Sequence, residues 1–287
     1  MKRRGWSIVE FMIAVALGLL VTWMASGMLL ASTSNYRHHS ESLVLADNGR
    51  YALHIMAEAI RQGAYVNWDD ERAPVVLTPD ATASIDGRDA ASVSRASEGI
   101  SGLLPPVAHG SDVLALRFSG IGDGSILNCG GFNEAAPTSA DTRAWSIFYV
   151  AADANGEPEL RCKYRGASGW GADAIVRGVD SFQVLYGVDT DTPADGVANT
   201  WLNATAVGTA NQWKRVCSVR MGLLLHGDGN SRSDTVNTRY DLFGAAYSDA
   251  HGEDAGVRLM DADFPEPQRH RPRRVFSMTV ALRNRDG

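Results

Sequence analysis

A single acid, Glu10, heads a run of 21 residues, Phe11 to Ala31, that carries no charge. Carried to the centre of a bilayer, a carboxylate costs roughly 2.5–3.5 kcal/mol, and less near the rim. Two readings follow. The acid rests in the head-group zone of a plain anchor, or it marks a site that needs a cationic partner. Three further groups could do chemistry: the cysteines Cys129, Cys162 and Cys217; the acids Asp189, Asp191 and Asp195 ahead of Gly196; and Arg269, Arg271, Arg273 and Arg274 interleaved with His270 and Pro272.

Spacing separates these candidates. Cys129 lies in a glycine-flanked loop and Cys162 in the strand-like Leu160–Tyr164, 33 positions on. A bond between them would stabilise by about 3.7 kcal/mol on the chain-entropy estimate. Cys217 shares a strand face with Val219 and Met221, which suits a buried thiol. A Cys129–Cys162 disulfide is therefore the favoured pairing in an oxidising compartment, with the other pairings open. There is no CxxC and no histidine at ligand spacing, so no zinc site is expected.

The acids fit an EF-hand poorly. Pro193 takes the fifth position and Thr200 the twelfth, where a ligand and a glutamate are required. The segment reads as a solvated turn with no metal, calcium at 189–195 remaining the alternative. The arginine run reads as a solvated stretch before the last strand, with DNA or an acidic partner as the alternative. Gly120, Gly122 and Gly124 do not form GxGxxG and no helical pattern follows, which speaks against a nucleotide site. There is no GxSxG elbow and the histidines are scattered, so no nucleophile–base pair is visible. No catalysis and no cofactor are expected, and the net charge of −6 offers no general attraction to nucleic acid.

The elements that must position these residues begin with the N-terminus. A charge-free stretch of this length crosses a bilayer core. Lys2, Arg3 and Arg4 ahead of it, with no cation for some distance after it, place the N-terminus in the cytoplasm. The run exceeds a secretory h-region, and its far end is a poor cleavage site. Beyond it, apolar positions at Leu45, Ala52, Ile55, Met56, Ala59 and Ile60 keep a helical period up to a cap at Gly63. One helix from Trp6 to Gln62 would measure roughly 85 Å, the alternative being a break near Ser32–Ser34. Residues 64–110, rich in Pro, Gly, Ser and Asp, read as loops. Period-two stretches then mark strands at Asp112–Phe118, Ser181–Tyr186, Trp213–Leu225 and Arg274–Leu282, and the near-continuous apolar run Trp145–Val150 followed by Glu159–Arg165 across the turn 153–156 reads as a hairpin. Strands without interleaved helices favour an α+β fold, a long N-terminal helix packed through its amphipathic half on a mainly antiparallel sheet.

Gly5-Trp6-Ser7-Ile8-Val9-Glu10 followed by about twenty apolar residues resembles the processing signal of type IV pilins and pseudopilins. The segments VRGVDSFQVLYGVDTD, CSVRMGLLLH and RRVFSMTVALRNR are similar to the PilW family of minor pilins, and the spine-plus-sheet architecture is pilin-like. Segments 64–110 and 190–212 carry no such likeness. Trp6 departs from the phenylalanine usual at that position, and the apolar segment lacks the helix-softening proline of many major pilins.

The resemblance implies a leader, 1–5, removed after Gly5 by a prepilin peptidase, with Trp6 then N-methylated. A spine helix 6–63 follows, transmembrane over about 11–31, and a periplasmic globular domain 64–287. It implies that Glu10 meets the N-terminal ammonium of a neighbouring subunit and sets register. Implied partners are other minor pilins and the major pilin through the N-terminal helix, the peptidase, the inner membrane and a pilus-tip adhesin, with no direct contact to nucleic acid. The function so implied is that of a minor pilin that initiates or caps a type IV pilus. The alternatives are a minor pseudopilin of type II secretion, or a membrane-anchored periplasmic binding domain exported by a pilin-like signal.

Overall fold

A computed structural model describes residues 7–68, 75, 78, 80–232 and 237–284. The chain forms two compact units, Met1–Val44 and Leu45–Gly287, and helix α1, Ile8–Gln62, contributes to both. The helix is unbroken at Ser32–Ser34. In the first unit its side chains are almost all exposed. In the second unit Leu45, Ala52, Leu53, Met56, Ala57 and Ile60 are buried in the main core. Ile55 and Ala59 pack against its edge.

The helix stop differs from the expected glycine cap. Gly63 N–H still donates to Ala59 O at 3.0 Å, but the left-handed residue is Ala64, at φ 58°. Its N–H is held by Arg117 O at 2.9 Å. A tertiary contact, rather than local propensity, fixes that unfavourable conformation.

The second unit continues with strands β1 (Ile85–Arg88), β2 (Ser92–Val93), β3 (Leu103–Leu104), β4 (Val113–Phe118), β5 (Ala144–Ala152), β6 (Pro158–Gly166), β7 (Gly169–Arg177), β8 (Val179–Val188) and β9 (Thr200–Leu202). Helix α2 (Ala204–Thr209), strands β10 (Val216–His226) and β11 (Arg239–Asp241), helix α3 (Ala245–Ala250), and strands β12 (Arg258–Met260) and β13 (Arg273–Ala281) complete it. Two antiparallel sheets result, in the orders β1-β4-β5-β6-β7 and β13-β10-β8-β9. The β5–β6 hairpin pairs Ile147 with Lys163 and Val150 with Leu160, and it turns through Gly156 at φ 83°.

Ser111 and Asp112 join the sheets. Asp112 N–H donates to Phe182 O, and its carboxylate accepts the N–H groups of Val184 at 2.8 Å and Ala90 at 3.0 Å. Ser111 Oγ accepts from Phe182 N at 3.1 Å. Burial pushes the Asp112 carboxyl well above the usual carboxylate range, and nearby Asp89 adds to the shift.

Alternation alone suggested one covered face per strand. In fact all of β4 and β8 is buried, and nearly all of β10. The inner faces pack on α1 in one cluster. On the outer face of the first sheet, Ala91, Val93 and Ile100 from the β2–β3 ribbon cover Val113, Ile147 and Tyr149. On the outer face of the second, Tyr240, Leu242, Leu259 and Phe264 around the β11–β12 ribbon cover Leu224. The segment 64–110 thus supplies three short strands where loops were expected. Trp213–Arg215 is a 3-10 turn rather than the start of a strand.

Gly49 has a packing reason to interrupt the amphipathic helix. A Cβ there would sit about 2.5 Å from the Phe276 ring of β13. Only a bare helix backbone lets that ring lie against it.

Candidate assembly site

Gly5 and Trp6, like Lys2, Arg3 and Arg4, lie outside the described residues. Ser7 stands immediately before α1, and its carbonyl accepts the N–H of Phe11 at 3.1 Å. Its hydroxyl accepts the N–H of Val9 at 3.3 Å, while Glu10 Oε2 accepts the N–H of Ser7 at 2.9 Å. This is the reciprocal logic of a capping box, serine at the cap and glutamate three residues on. It satisfies two amides at the helix start that would otherwise lack partners. Glu10 therefore has a role within its own chain that the charge pattern did not reveal.

The residues that follow present an exposed apolar surface. Ile8 is 80% exposed, Phe11 68%, Trp23 78% and Met28 79%. The few polar side chains turn inward on the helix itself. Thr22 Oγ1 donates to Gly18 O at 3.0 Å, Ser26 Oγ to Thr22 O at 2.8 Å and Thr33 Oγ1 to Leu29 O at 3.0 Å. Such back-bonding suits surroundings without water. The helix is long and apolar enough to cross a membrane.

Cys129 and Cys162 are joined by a disulfide, with Cα atoms 5.9 Å apart. The bond anchors the loop around Cys129 on β6, helped by Cys129 N–H donating to Ser146 Oγ at 3.0 Å. The rings of Phe132 and Tyr164 meet beside it, with centroids 4.9 Å apart. Cys217 stays outside the bond, buried, its sulfur 3.5 Å from Gly187 O.

Asp189, Asp191 and Asp195 each offer a carboxylate oxygen within 4.8 Å of the others. These carboxylates are occupied in holding the turn. Asp189 accepts from Asp191 N at 3.0 Å and from Gly196 N at 2.5 Å, and Asp195 accepts from Val197 N at 2.8 Å. Arg215 clamps the same turn through Asp189 O and Asp191 O.

The arginine run departs from the solvated reading. The Arg273 side chain is 0% exposed and donates to Asp180 Oδ2 at 2.8 Å; Arg271 donates to Glu157 Oε1 at 3.0 Å. Both face His226, whose Nδ1 lies 2.9 Å from Asp180 Oδ1. His226 had no sequence signal beyond closing an apolar strand. No serine, threonine or cysteine is recorded against its ring, so it makes no nucleophile–base pair among the described residues.

Lys163 is also buried. Its Nζ donates to Ser94 O at 2.8 Å, Ser97 Oγ at 3.0 Å and Gly99 O at 2.6 Å, tying the β2–β3 ribbon to β6. Burial pulls its ammonium down to about 8.

A long N-terminal helix, exposed and apolar over its first unit, followed by antiparallel sheets packed on its second half, defines an α+β protein. Residues 147–284 match the family model described as Type IV Pilus-assembly protein W, PilW. That segment, just under half of the chain, is similar to this pilus-assembly family. Among solved structures the chain is similar to a type IV-like pilin from Thermus thermophilus, TTHA1219, at 12% identity and a TM-score of 0.41. That match covers 85% of this chain and 98% of the other. No curated protein matches the sequence.

Proposed function

We propose that this chain is a minor pilin that joins other minor pilins in the complex that primes or caps the type IV pilus. The observation that carries the reading is the bare helix surface from Ile8 to Leu30 on a chain whose C-terminal half matches the PilW family. Apolar side chains of this size do not stay in water. They leave lipid only for another apolar surface, and the helices of neighbouring pilins supply one. In this reading residues 1–5 are a leader cut after Gly5, and Trp6 is the methylated first residue. The inner membrane holds the subunit, N-terminus inward, until extraction into the filament.

Glu10 then has two successive partners. Within the chain it caps its own helix through Ser7. In the filament one carboxylate oxygen meets the ammonium of an adjacent subunit, fixing axial register in a dry bundle where neither charge is stable alone. The globular unit contributes lateral surfaces toward the major pilin, other minor pilins and a tip adhesin. Deletion of the gene, scored for pilus number, twitching motility and protein secretion, tests the reading. Loss of pili and twitching with secretion intact is expected; loss of secretion alone would assign the chain to a type II system instead.

A further inference from the structure

Beyond assembly, the outer face of the second sheet carries a groove built around one arginine. Every residue of β10 is buried except Arg220, near the middle of the strand. Its neighbours Val219 and Met221 point into the main core, so Arg220 stands on the opposite face. Among the described residues it has no carboxylate within 4.0 Å. Its guanidinium is nevertheless held in place. Nε donates to Thr279 Oγ1 at 3.3 Å, and Cζ lies 4.8 Å from the centre of the Trp201 ring. Among the described residues the two terminal nitrogens donate to nothing.

The groove beside it measures about 410 Å³, within the ~300–1,000 Å³ of small-ligand sites. Ser277 and Thr279 of β13 line it with hydroxyls, and Phe243 supplies an aromatic wall. Gly222 lets that wall approach, since a Cβ there would sit 3.2 Å from the Phe243 ring. Tyr247 meets the same ring edge-on, with centroids 5.5 Å apart. The acid in the lining, Asp241, is already neutralised, with Arg239 Nε 2.8 Å from both of its oxygens. Asp249 lies 2.6 Å from Arg239 and 3.7 Å from Arg258. Two arginines balance these two acids, so Arg220 adds an uncompensated positive charge in a chain of net charge −6.

We infer that this groove binds an acidic saccharide through the carboxylate of a uronic acid unit. The carboxylate takes a two-pronged hydrogen bond from the terminal nitrogens of Arg220. Sugar hydroxyls meet Ser277 and Thr279, and the apolar C–H face of the ring lies on Phe243. An aspartate or glutamate of a partner protein would use the arginine but leave the hydroxyls and the ring unmatched. The observations therefore favour the sugar.

The test uses the full-length chain in micelles of a sugar-free detergent, with sodium glucuronate as the probe and saturation-transfer NMR as the readout. Transfer to the sugar ring protons is expected, saturating in the millimolar range that suits an open groove. Arg220→Gln and Ser277→Val alter the outer face and spare the core. The first should weaken binding about tenfold or more, and the second by a smaller factor. Glucose, which lacks the carboxylate, and acetate, which lacks the ring, should both displace the probe poorly. No transfer from the wild type, equal transfer from Arg220→Gln, or displacement by acetate as effective as by glucuronate itself would overturn the site. A short polyglutamate peptide that displaces the probe at lower concentration than glucuronate would assign the groove to a protein carboxylate and overturn the saccharide.

Discussion

Glu10 Oε2 accepts the backbone N–H of Ser7 across the first turn of α1, at 2.9 Å. The acid at the head of the apolar segment is thereby held close to the chain end that processing after Gly5 would create. Substitution at this one position separates a capping role from a charge role.

Glu10→Ala removes both the cap and the charge. Loss of a cap costs ~1 kcal/mol of helix stability, a small effect for a helix this long in lipid. Breaking a buried ion pair from one side costs ~3–5 kcal/mol, and the lower bound weakens docking about a hundredfold. Glu10→Ala should therefore insert and be cleaved normally yet cross-link poorly to partner pilins. Glu10→Gln retains an acceptor for Ser7 N–H but no charge, so its cross-linking should fall between alanine and wild type. Full cross-linking of the alanine variant would remove the register mechanism.

The staple between Cys129 and Cys162 predicts a stability difference. Replacing both by serine should lower the unfolding free energy by ~2–4 kcal/mol, since the loop it closes is released in the unfolded chain. Peptide mapping under alkylation, before and after denaturation, should label Cys217 only after unfolding. A disulfide that includes Cys217 would contradict the assigned pairing.

Lys163 predicts a pH dependence of unusual sign. Its folded value of about 8 lies below the ordinary 10.5, so between the two the unfolded chain binds more protons than the folded one. Stability should therefore rise with pH across that window, by up to ~3 kcal/mol from this group alone. Tyrosines whose ionisation is pushed up, Tyr164 to about 12 among them, act oppositely above pH 10. Denaturation between pH 8 and 10 should show the rise in wild type and lose it in Lys163→Met. A rise of equal size in both proteins would put its cause elsewhere.

Gly49 predicts an exception to helix propensity. Alanine in a helix interior is ordinarily better than glycine by ~1 kcal/mol. Here the added methyl meets the Phe276 ring, and crowding a packed core costs ~1–3 kcal/mol. Gly49→Ala should lower the thermal midpoint, and the pair Gly49→Ala with Phe276→Leu should recover part of the loss. A stabilised single variant would show that the ring yields freely.

How far the fold was legible follows from where its determinants lie. The 3.6 period through Leu45, Ala52, Met56 and Ile60 and the alternation in β13 are local, and both appear where the pattern placed them. The covering ribbons were not legible. Ser92–Val93 and Leu103–Leu104 are too short to show a period, and their place is set by contacts to β5 far along the chain. The same holds for the arginines before β13. Arg271 and Arg273 look like solvated charges in sequence, because the acids that bury them, Glu157 and Asp180, are about a hundred residues away. The Glu10 cap was available in the spacing Ser7-x-x-Glu10, but the apolar run beside it drew the reading toward a partner outside the chain.

The central claim is that the chain is processed as a prepilin and built into the pilus. The most direct measurement is the intact mass of the protein recovered from sheared and purified filaments. The account predicts a chain that begins at Trp6 and carries one methyl group on its amine. A protein absent from filaments, or present with Met1–Gly5 attached, would contradict it.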